Sequence, residues 1–202
     1  HFLFNALNTI QSFIISEDKK NASNYLSKFS KLTRNVLQMS ELENVTLQEE
    51  LDTLNLYLEL EKMRFQDLTY RIIIDPNVNP NQILIPSMIV QPYIENAIKH
   101  GLLHKVGEKI LSIEFLKSEQ NFLSICIEDN GIGRAKSAEI NKVRSEKYKS
   151  FSTEANLKRI EILNQEKNKI GVDTIDLFNQ NGEPCGTRVC LLIQIIKPNN
   201  NT

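Results

Sequence analysis

The chain has 202 residues, of which 41% are hydrophobic and 24% charged, a composition typical of a globular protein with one large or two small domains. The formal net charge of −1 excludes a strongly basic protein and gives no indication of a nucleic-acid partner. No apolar run approaches the ~20 residues that a membrane-spanning helix requires.

The first 65 or so residues are predicted to form three helices. Apolar residues recur at helical spacing along one face of the first helix, at Leu3, Leu7, Ile10 and Ile14. A second face of this helix carries a polar stripe, made of His1, Asn5, Asn8 and Ser12. The second helix is predicted from about Asp18 to Met39, with an apolar side of Ala22, Leu26, Phe29, Leu32, Val36 and Leu37. The third begins after Thr46, which forms a capping box with Glu49.

Three amphipathic helices without a strand bury too little apolar surface to be stable alone. We therefore expect this region to pair with a copy of itself or with another domain. The predicted organisation is a helical region over 1–65, a second domain over 66–197 and a disordered tail over 198–202.

From about Thr69 the hydrophobic period changes from that of a helix to that of a strand. Strands are predicted in the runs TYRIIID, QILI, ILSIEFLK, NFLSICIED, VDTIDLF and TRVCLLIQII. A helix is predicted from Pro86 to Gly101, bent at Pro92, and another over 153–168, whereas the basic stretch 134–149 is predicted to be a loop. The order predicts an α+β protein whose second domain is an α/β sandwich, a mixed sheet covered by helices on one face.

The segment PYIENAIKHG places four polar residues on one arc of about 140° around the predicted helix. They are Glu95, Asn96, Lys99 and His100. An ordinary solvated helix face would also show such an arc, so the segment alone does not distinguish a surface from a site.

The segment EDNGIG follows a predicted strand in which Asp129 continues the phase of the apolar residues Leu123, Ile125 and Ile127. A plain turn is one interpretation, because Asn-Gly pairs are common in turns. The other is a carboxylate at the floor of a pocket that accepts a hydrogen bond from an amino group such as that of adenine. Gly131 and Gly133 would then let the backbone approach a ligand closely.

The order of ENAIKHG, DNGIG and a Gly-Thr pair before the last strand resembles the sequence boxes of the GHKL ATPase superfamily, which includes the histidine kinases. Three longer stretches are similar to LytS/YehU-type sensor histidine kinases: HFLFNALNTI, TLQEELDTLNLYLELEKMRF and IPSMIVQPYIENAIKHGL. The resemblance extends from His1 to about Ile195.

This resemblance implies a two-component kinase in which ATP phosphorylates a histidine and the phosphate passes to an aspartate of a response regulator. By position, His1 matches the phosphoacceptor, and an imidazole pKa of about 6.5 leaves its neutral, nucleophilic form abundant. Asn5 lies one helical turn further on and is expected to orient the ring. The family also implies a homodimer. Because the chain begins with His1 and lacks an initiator Met, we expect a cytoplasmic fragment of a protein anchored in the bacterial inner membrane by a region outside it.

ATP and Mg²⁺ are the implied ligands of the second domain. Asn96 would bind the magnesium ion, while Lys99 and His100 would bind phosphate. The remaining implied contacts are an adenine-recognising Asp129, a lid hinge at Gly131 and Gly133, and Thr187 on the adenine side. Glu95 has two open interpretations: acceptor of the proton released from His1, or an i,i+4 partner of Lys99.

The chain departs from the family at the second glycine box. No glycine occurs between Gly133 and Gly171, and Ser152 lies near the position where one is expected. Backbone approach to the phosphates should be poorer there, although Lys147 and Lys149 are expected to compensate in part. A second hypothesis is therefore a degenerate, non-catalytic scaffold that binds nucleotide and dimerises. A GHKL ATPase that transfers phosphate to water is disfavoured by the helical segment with HFLFN.

The three cysteines are scattered, which fits a reducing compartment better than a disulfide framework. Cys126 and Cys190 lie in strand-like runs. We interpret them as small core residues.

Overall fold

The N-terminal part of the protein is a set of three helices, as predicted. The computed structural model describes residues 2–118, 121–144, 151–166 and 169–196. Helices α1 (Phe2–Ile15) and α2 (Lys19–Ser40) pack against each other, and α3 (Leu47–Arg64) packs against α2. The predicted capping box is confirmed: the Glu49 N–H donates to Thr46 Oγ1 at 3.2 Å, and the Thr46 N–H donates to Glu49 Oε2 at 2.7 Å.

The buried side of α2 differs from the predicted one. Its buried residues follow a seven-residue step and are Tyr25, Leu32 and Met39. Leu26 and Leu37, predicted to lie on the apolar side, are 51% and 62% exposed. The prediction was correct for Leu32, and Phe29 and Val36 also pack against the core, but it was wrong for Leu26 and Leu37, because the neighbouring helices cover only one stripe of α2.

Helix α1 also leaves much of its apolar face open. Ala6 is fully buried and Ile10 and Phe13 pack against the core, whereas five larger apolar residues are at least half exposed. These five are Leu3, Phe4, Leu7, Ile14 and Ile15. None of the helices in the described part of the chain is long and apolar enough to cross a membrane.

In the described part of the chain, seven strands form two sheets. In chain order they are β1 (Asn44–Thr46), β2 (Leu68–Ile74), β3 (Leu84–Pro86), β4 (Lys109–Ser118), β5 (Phe122–Asp129), β6 (Ile170–Phe178) and β7 (Pro184–Gln194). The large sheet has the order β2-β4-β5-β7-β6, with a parallel β2–β4 pair and antiparallel pairs elsewhere. The small sheet pairs β1 with β3. The predicted mixed sheet is confirmed, although β1 was missed because three residues carry little periodicity.

Helices cover one face of the large sheet. The alternating residues Leu123, Ile125 and Ile127 of β5 are buried on this face, as predicted, and Asp129 continues their phase. The covering elements include α4 (Gln91–Asn96), which continues as a π-helical turn over Ala97–Leu102, α5 (Arg134–Arg144) and α6 (Phe151–Glu166).

Four predictions about these helices were wrong. The helix expected from Pro86 begins at Gln91, because Pro86 pairs with Asn44 in the small sheet. Pro92 lies in the first helical turn, where a missing N–H breaks no hydrogen bond, so it does not bend the helix. Gly101 does not end the helix but is buried inside the π-helical turn. In addition, residues 134–144 of the stretch predicted as a loop form α5.

The cysteine prediction is also corrected. Cys126 and Cys190 are register partners on β5 and β7 and are joined by a disulfide. Their side chains lie on the face of the sheet opposite the buried residues Ile125 and Ile127, and both are half-buried. Strand periodicity indicated an apolar run but not which face the cysteines would occupy.

Helix α3 connects the helical region to the sheet. Leu54, Leu58 and Leu60 are at most 1% exposed, and they belong to the same apolar core as Ile113 and Ile125 of the large sheet. The boundary between residues 65 and 66 remains a prediction. The helical region before this boundary and the sheet-containing region after it share one continuous apolar core.

We expect Leu58→Ala to lower the free energy of unfolding by about 2–5 kcal/mol, because the truncation leaves a cavity in this shared core. Leu42→Ala is the matched control, since Leu42 is 50% exposed and its truncation should change stability by only about 0.5 kcal/mol. Urea denaturation of both variants measures the difference. Equal losses would contradict the assignment of α3 to the core.

Candidate functional site

The helix α4 and its π-helical turn carry the four polar residues predicted for a site. Lys99 is exposed, and Glu95, Asn96 and His100 are half-buried. The opposite side of this helix is anchored in the core by the buried residues Ile94, Ala97 and Ile98. The π-helical turn packs against β4, β5 and β7, and its Gly101 lies against Asp129 at the end of β5.

The Asp129 carboxyl group lies at the end of β5, where Gly101 and Gly131 lie close to it and Gly186 lies close to the Asp129 main chain. A Cβ atom on Gly101 would lie 2.4 Å from Asp129 Oδ1, and one on Gly131 would lie 2.3 Å from the carbonyl carbon of Gly101. A Cβ atom on Gly186 would lie 2.0 Å from the Asp129 carbonyl oxygen. Larger residues are therefore excluded at all three positions. Gly101 and Gly186 were not predicted as site residues.

Burial changes the acidity of Asp129. The residue is 4% exposed, and desolvation raises its pKa to about 6. Backbone N–H groups of Gly131 and Thr187 donate to the carboxylate and oppose this rise, with the Gly131 bond at 2.8 Å. Thr187, also buried, is the register partner of Asp129 on β7. The structure thus brings Asp129, Gly131 and Thr187 together, as the sequence predicted.

The loop after Asp129 is fixed by its own side chains. Asn130 Oδ1 accepts from the Ile110 N–H at 2.8 Å, and Asn130 Nδ2 donates to the Glu108 carbonyl at 3.1 Å. Gly133 has a φ of +77°, which favours glycine, and lies directly before α5. This conformation fits the predicted hinge at Gly133.

Glu95 lies close to α3. Its Oε1 atom accepts a hydrogen bond from Gln91 Nε2 at 2.8 Å, and within the described part of the chain it forms no ion pair with Lys99. Burial is the main cause of the raised pKa of Tyr57, and the negative charges of Glu61 and Glu95 raise this pKa further. Burial also raises the pKa of Glu61. The charge and hydrogen bond of Arg64 lower this pKa, and the charge of Glu95 raises it. Buried polar residues of α3 therefore lie near Glu95, the candidate proton acceptor, and the sequence analysis did not predict this proximity.

A second buried carboxylate holds the chain entering α4. Glu50 is 1% exposed, and its two carboxylate oxygens accept hydrogen bonds from the Met88 N–H at 2.9 Å and the Val90 N–H at 3.1 Å. Desolvation raises the pKa of Glu50 to about 7, while these hydrogen bonds and the Arg159 charge oppose the rise. The signal that was missed is the phase of Glu50, which lies on the same helix face as Leu47 and Leu54.

The same segment also contacts α2 and α6. Ser87 Oγ donates to the Met39 carbonyl at 2.6 Å, and Arg159 of α6 donates to the carbonyl oxygens of Ser87 and Met88. Met88 has a φ of +54°, an unfavourable conformation for a residue with a side chain. Residues 87–90, which we call the joint segment, therefore connect α2, α3, α4 and α6.

The other predicted residues lie apart from this centre. His1, Lys147 and Lys149 are outside the described residues. Ser152 lies in the first turn of α6, and Asn5 is half-buried on α1, where its carbonyl oxygen accepts from Thr9 Oγ1 at 2.9 Å. His100 borders the centre, and burial, Lys99 and His104 lower its pKa, so its imidazole is neutral at pH 7.

Sequence comparisons identify relatives of the chain. A profile described as histidine kinase matches residues 1–69. The chain is 40% identical over 134 residues to the sensor histidine kinase BtsS of Escherichia coli, and 34% identical over 134 residues to the sensor protein LytS of Staphylococcus haemolyticus. The matches cover 64% and 66% of this chain but 22% of each relative, so the matched region spans about a fifth of their length.

Structural comparison gives a consistent result for the fold. The histidine kinase domain of the blue-light activated histidine kinase EL346 from Erythrobacter litoralis superimposes with a TM-score of 0.52 at 12% identity. The superposition covers 89% of this chain and 82% of that domain. At this identity the similarity shows a shared fold.

We expect the stability difference between the wild type and Glu50→Gln to depend on pH. The folded-state pKa of Glu50 is raised from 4.5 to about 7, so the folded protein holds an extra proton between these values. Its contribution to stability is full below about pH 4.5 and is lost as the pH rises through about 7, whereas Gln does not titrate.

Urea denaturation at pH 5 and pH 8 measures this effect. The advantage of the wild type over Glu50→Gln should shrink by about 2–3 kcal/mol between the two pH values. A difference that stays constant would show that Glu50 is not held as a buried, easily protonated acid.

Proposed function

The chain belongs to the LytS/YehU type of sensor histidine kinase, and from this premise we propose that it is the kinase core of a two-component sensor. In this proposal ATP phosphorylates His1, and the phosphate then passes to an aspartate of a response regulator. The observation that carries the proposal is the buried Asp129, whose carboxylate lies against Gly101 and Gly131 and whose main chain lies against Gly186.

The surroundings of Asp129 suit an adenine ring. A carboxylate accepts hydrogen bonds only, so it complements an exocyclic amino group. Because Gly101, Gly131 and Gly186 have no side chains, the backbone packs directly around Asp129 and holds its carboxylate in a fixed position for a base. Thr187 borders the same floor on β7. These features support Asp129 and Thr187 as the adenine-recognising residues.

The polar arc of α4 and its π-helical turn suits the phosphates and Mg²⁺. Asn96 offers the amide oxygen that magnesium accepts as a ligand. Lys99 is exposed and provides a mobile positive charge, while the neutral His100 ring donates one hydrogen bond. Bound Mg²⁺ would neutralise phosphate charge, as in phosphoryl transfer generally. We propose that Lys147 and Lys149 add positive charge from the segment before α6.

His1 and Glu95 are the proposed reacting groups of the chain. A neutral His1 imidazole is the nucleophile, and Asn5 on the same helix orients its ring. Glu95 is the proposed acceptor of the released proton. Two observations support this role: Glu95 is bonded to Gln91 rather than neutralised by Lys99, and it precedes the proposed metal ligand Asn96 directly.

We also propose that the protein works as a homodimer. The exposed apolar residues of α1, together with Leu26 and Leu37 of α2, supply the surface that a second copy would cover. A response-regulator partner and a location on the cytoplasmic side of the membrane follow from the proposed role, with the membrane anchor outside this chain.

One observation favours a second candidate, a non-catalytic nucleotide-binding scaffold. Helix α6 begins at Phe151, so the stretch where the second glycine box is expected contains helix and Ser152 instead of glycine. Fewer backbone N–H groups are then open to the phosphates. The scaffold would keep nucleotide binding and dimerisation but not label a histidine.

We expect His1→Gln in the full-length protein to abolish acid-labile phosphorylation from labelled ATP. Nucleotide affinity should change by less than about twofold, because His1 is not one of the residues proposed to bind the nucleotide. Labelling that persists in the variant would move the acceptor to another residue. A wild type that binds ATP but is never labelled would favour the scaffold.

The roles of Asp129 and Asn96 are separable by calorimetry with and without Mg²⁺. Asp129→Asn places a donor opposite the adenine amino group. It should weaken ATP binding by about 1–3 kcal/mol, or roughly 5–150-fold in affinity, under both conditions. Asn96→Ala should weaken ATP only when Mg²⁺ is present. Equal losses in both variants under both conditions would refute the assignment.

A further inference from the structure

The disulfide between Cys126 and Cys190 joins β5 and β7, the strands that carry Asp129 and Thr187. We call residues 128–131 and 186–188, which surround these two, the nucleotide floor. The two cysteines are directly opposed in the β5–β7 register, and their Cα atoms are 4.2 Å apart. Three register steps further along the same strands, Asp129 is opposed to Thr187. At the step before that pair, Arg188 Nε donates to Glu128 Oε2 at 2.6 Å. The disulfide and the floor thus belong to one short ladder.

The disulfide lies on the partly exposed face of the sheet. Cys126 lies on the face of β5 opposite the buried Ile125 and Ile127, and both cysteines are only half-buried. The neighbours of Cys126 on this face, Ser124 and Glu128, are also half-buried. A low-molecular-weight thiol or disulfide could therefore reach the bond without unfolding of the sheet.

The sheet does not require the disulfide for its pairing. The β5–β7 ladder runs from Phe122 to Asp129 on β5, and each of the two strands has a further neighbour on its other side. Strands with two neighbours keep their hydrogen bonds when the sulfur atoms separate. Disulfides in cytosolic proteins are usually transient, catalytic or redox-sensing. The position in a proposed cytoplasmic kinase core therefore favours a reversible bond over a permanent one.

We propose that Cys126 and Cys190 form a redox modification site that exchanges with low-molecular-weight thiols and disulfides and that, when oxidised, restrains the nucleotide floor. The connection to nucleotide binding rests on the kinase function proposed above. The bond spans 64 residues of sequence and encloses α5 and α6, so oxidation also ties together the two strands that flank this segment.

The two-electron oxidant of this reaction is a small disulfide, which is reduced to two small thiols. The thiolate of one cysteine attacks the small disulfide, which releases one small thiol and leaves a mixed disulfide on the protein. The second cysteine, as its thiolate, then attacks the protein sulfur of this mixed disulfide and releases the second small thiol. The two protons of the protein thiols end on the two released thiols.

The experiment uses the full-length protein equilibrated in glutathione buffers from fully reduced to fully oxidised. Alkylation and mass spectrometry measure the fraction of Cys126–Cys190 disulfide, and the melting temperature is recorded for each state. The oxidised form should melt about 5–10 °C higher, because closing a long loop restricts the unfolded chain. Returning the oxidised protein to reducing buffer should reverse the shift.

Hydrogen exchange tests the effect on the floor. Amide groups of residues 128–131 and 186–188 should exchange at least about threefold faster in the reduced form, because a cross-linked ladder opens less often. Cys126→Ser and Cys190→Ser should behave like the reduced wild type in every buffer. Cys185→Ser is the matched control, because Cys185 is a free, half-buried cysteine on β7, and this variant should keep the full redox response.

The proposal is overturned if the pair stays reduced in oxidising glutathione. It is also overturned if the two forms share one melting temperature, or if the exchange of the floor amides is the same in both. None of these measurements needs ATP. A protein that shows the redox response but never binds ATP would contradict the proposed kinase function and leave the modification site standing.

Discussion

The burial of the Asp129 carboxyl group is the constraint on which the candidate site depends. A buried carboxylate loses its hydration, and this loss is tolerated only where N–H donors replace the water. Gly131 and Thr187 supply such donors, and they reach the carboxylate because Gly101, Gly131 and Gly186 have no side chains. The π-helical turn, the loop after β5 and the start of β7 therefore converge on one group. The backbone of these three segments has to lie close to Asp129 whether or not a nucleotide is bound.

The joint segment, residues 87–90, determines how the rest of the protein is attached to this site. Its backbone is bonded to Glu50 on α3 and to Arg159 on α6, and Ser87 is bonded to the end of α2. Breaking these buried hydrogen bonds would leave polar groups without partners, which is costly. The helical region and helix α4 are thus held in one relative position by polar contacts as well as by the shared apolar core. A displacement of α3 would be transmitted directly to the start of α4.

The surfaces of the two regions differ in character. The helical region leaves large apolar side chains of α1 and α2 open, which is the property of a surface that another copy covers. On the sheet, the half-buried outer face carries the Cys126–Cys190 disulfide and the ion pair of Arg188 with Glu128. In the proposed nucleotide site, the absence of a glycine between Gly133 and Gly171 would affect the side proposed for the phosphates, whereas Gly101, Gly131 and Gly186 pack around Asp129 on the side proposed for adenine.

The sequence by itself determined the features that depend on local pattern. Apolar spacing and the Thr46–Glu49 capping box located the three N-terminal helices, alternation located the long strands, and the phase of Asp129 placed its side chain on the buried face. The order of the motifs indicated the family. Tertiary structure alone decided the features that depend on distant partners. Helix phase places Glu50 on the buried face, but only folding brings it the N–H donors of Met88 and Val90, and only folding packs the Gly101 backbone against Asp129. Cys126 pairs with Cys190 because two strands 64 residues apart in sequence share a register. No local period records such contacts, since each side chain's environment is set by a neighbour that the chain brings close only when it folds.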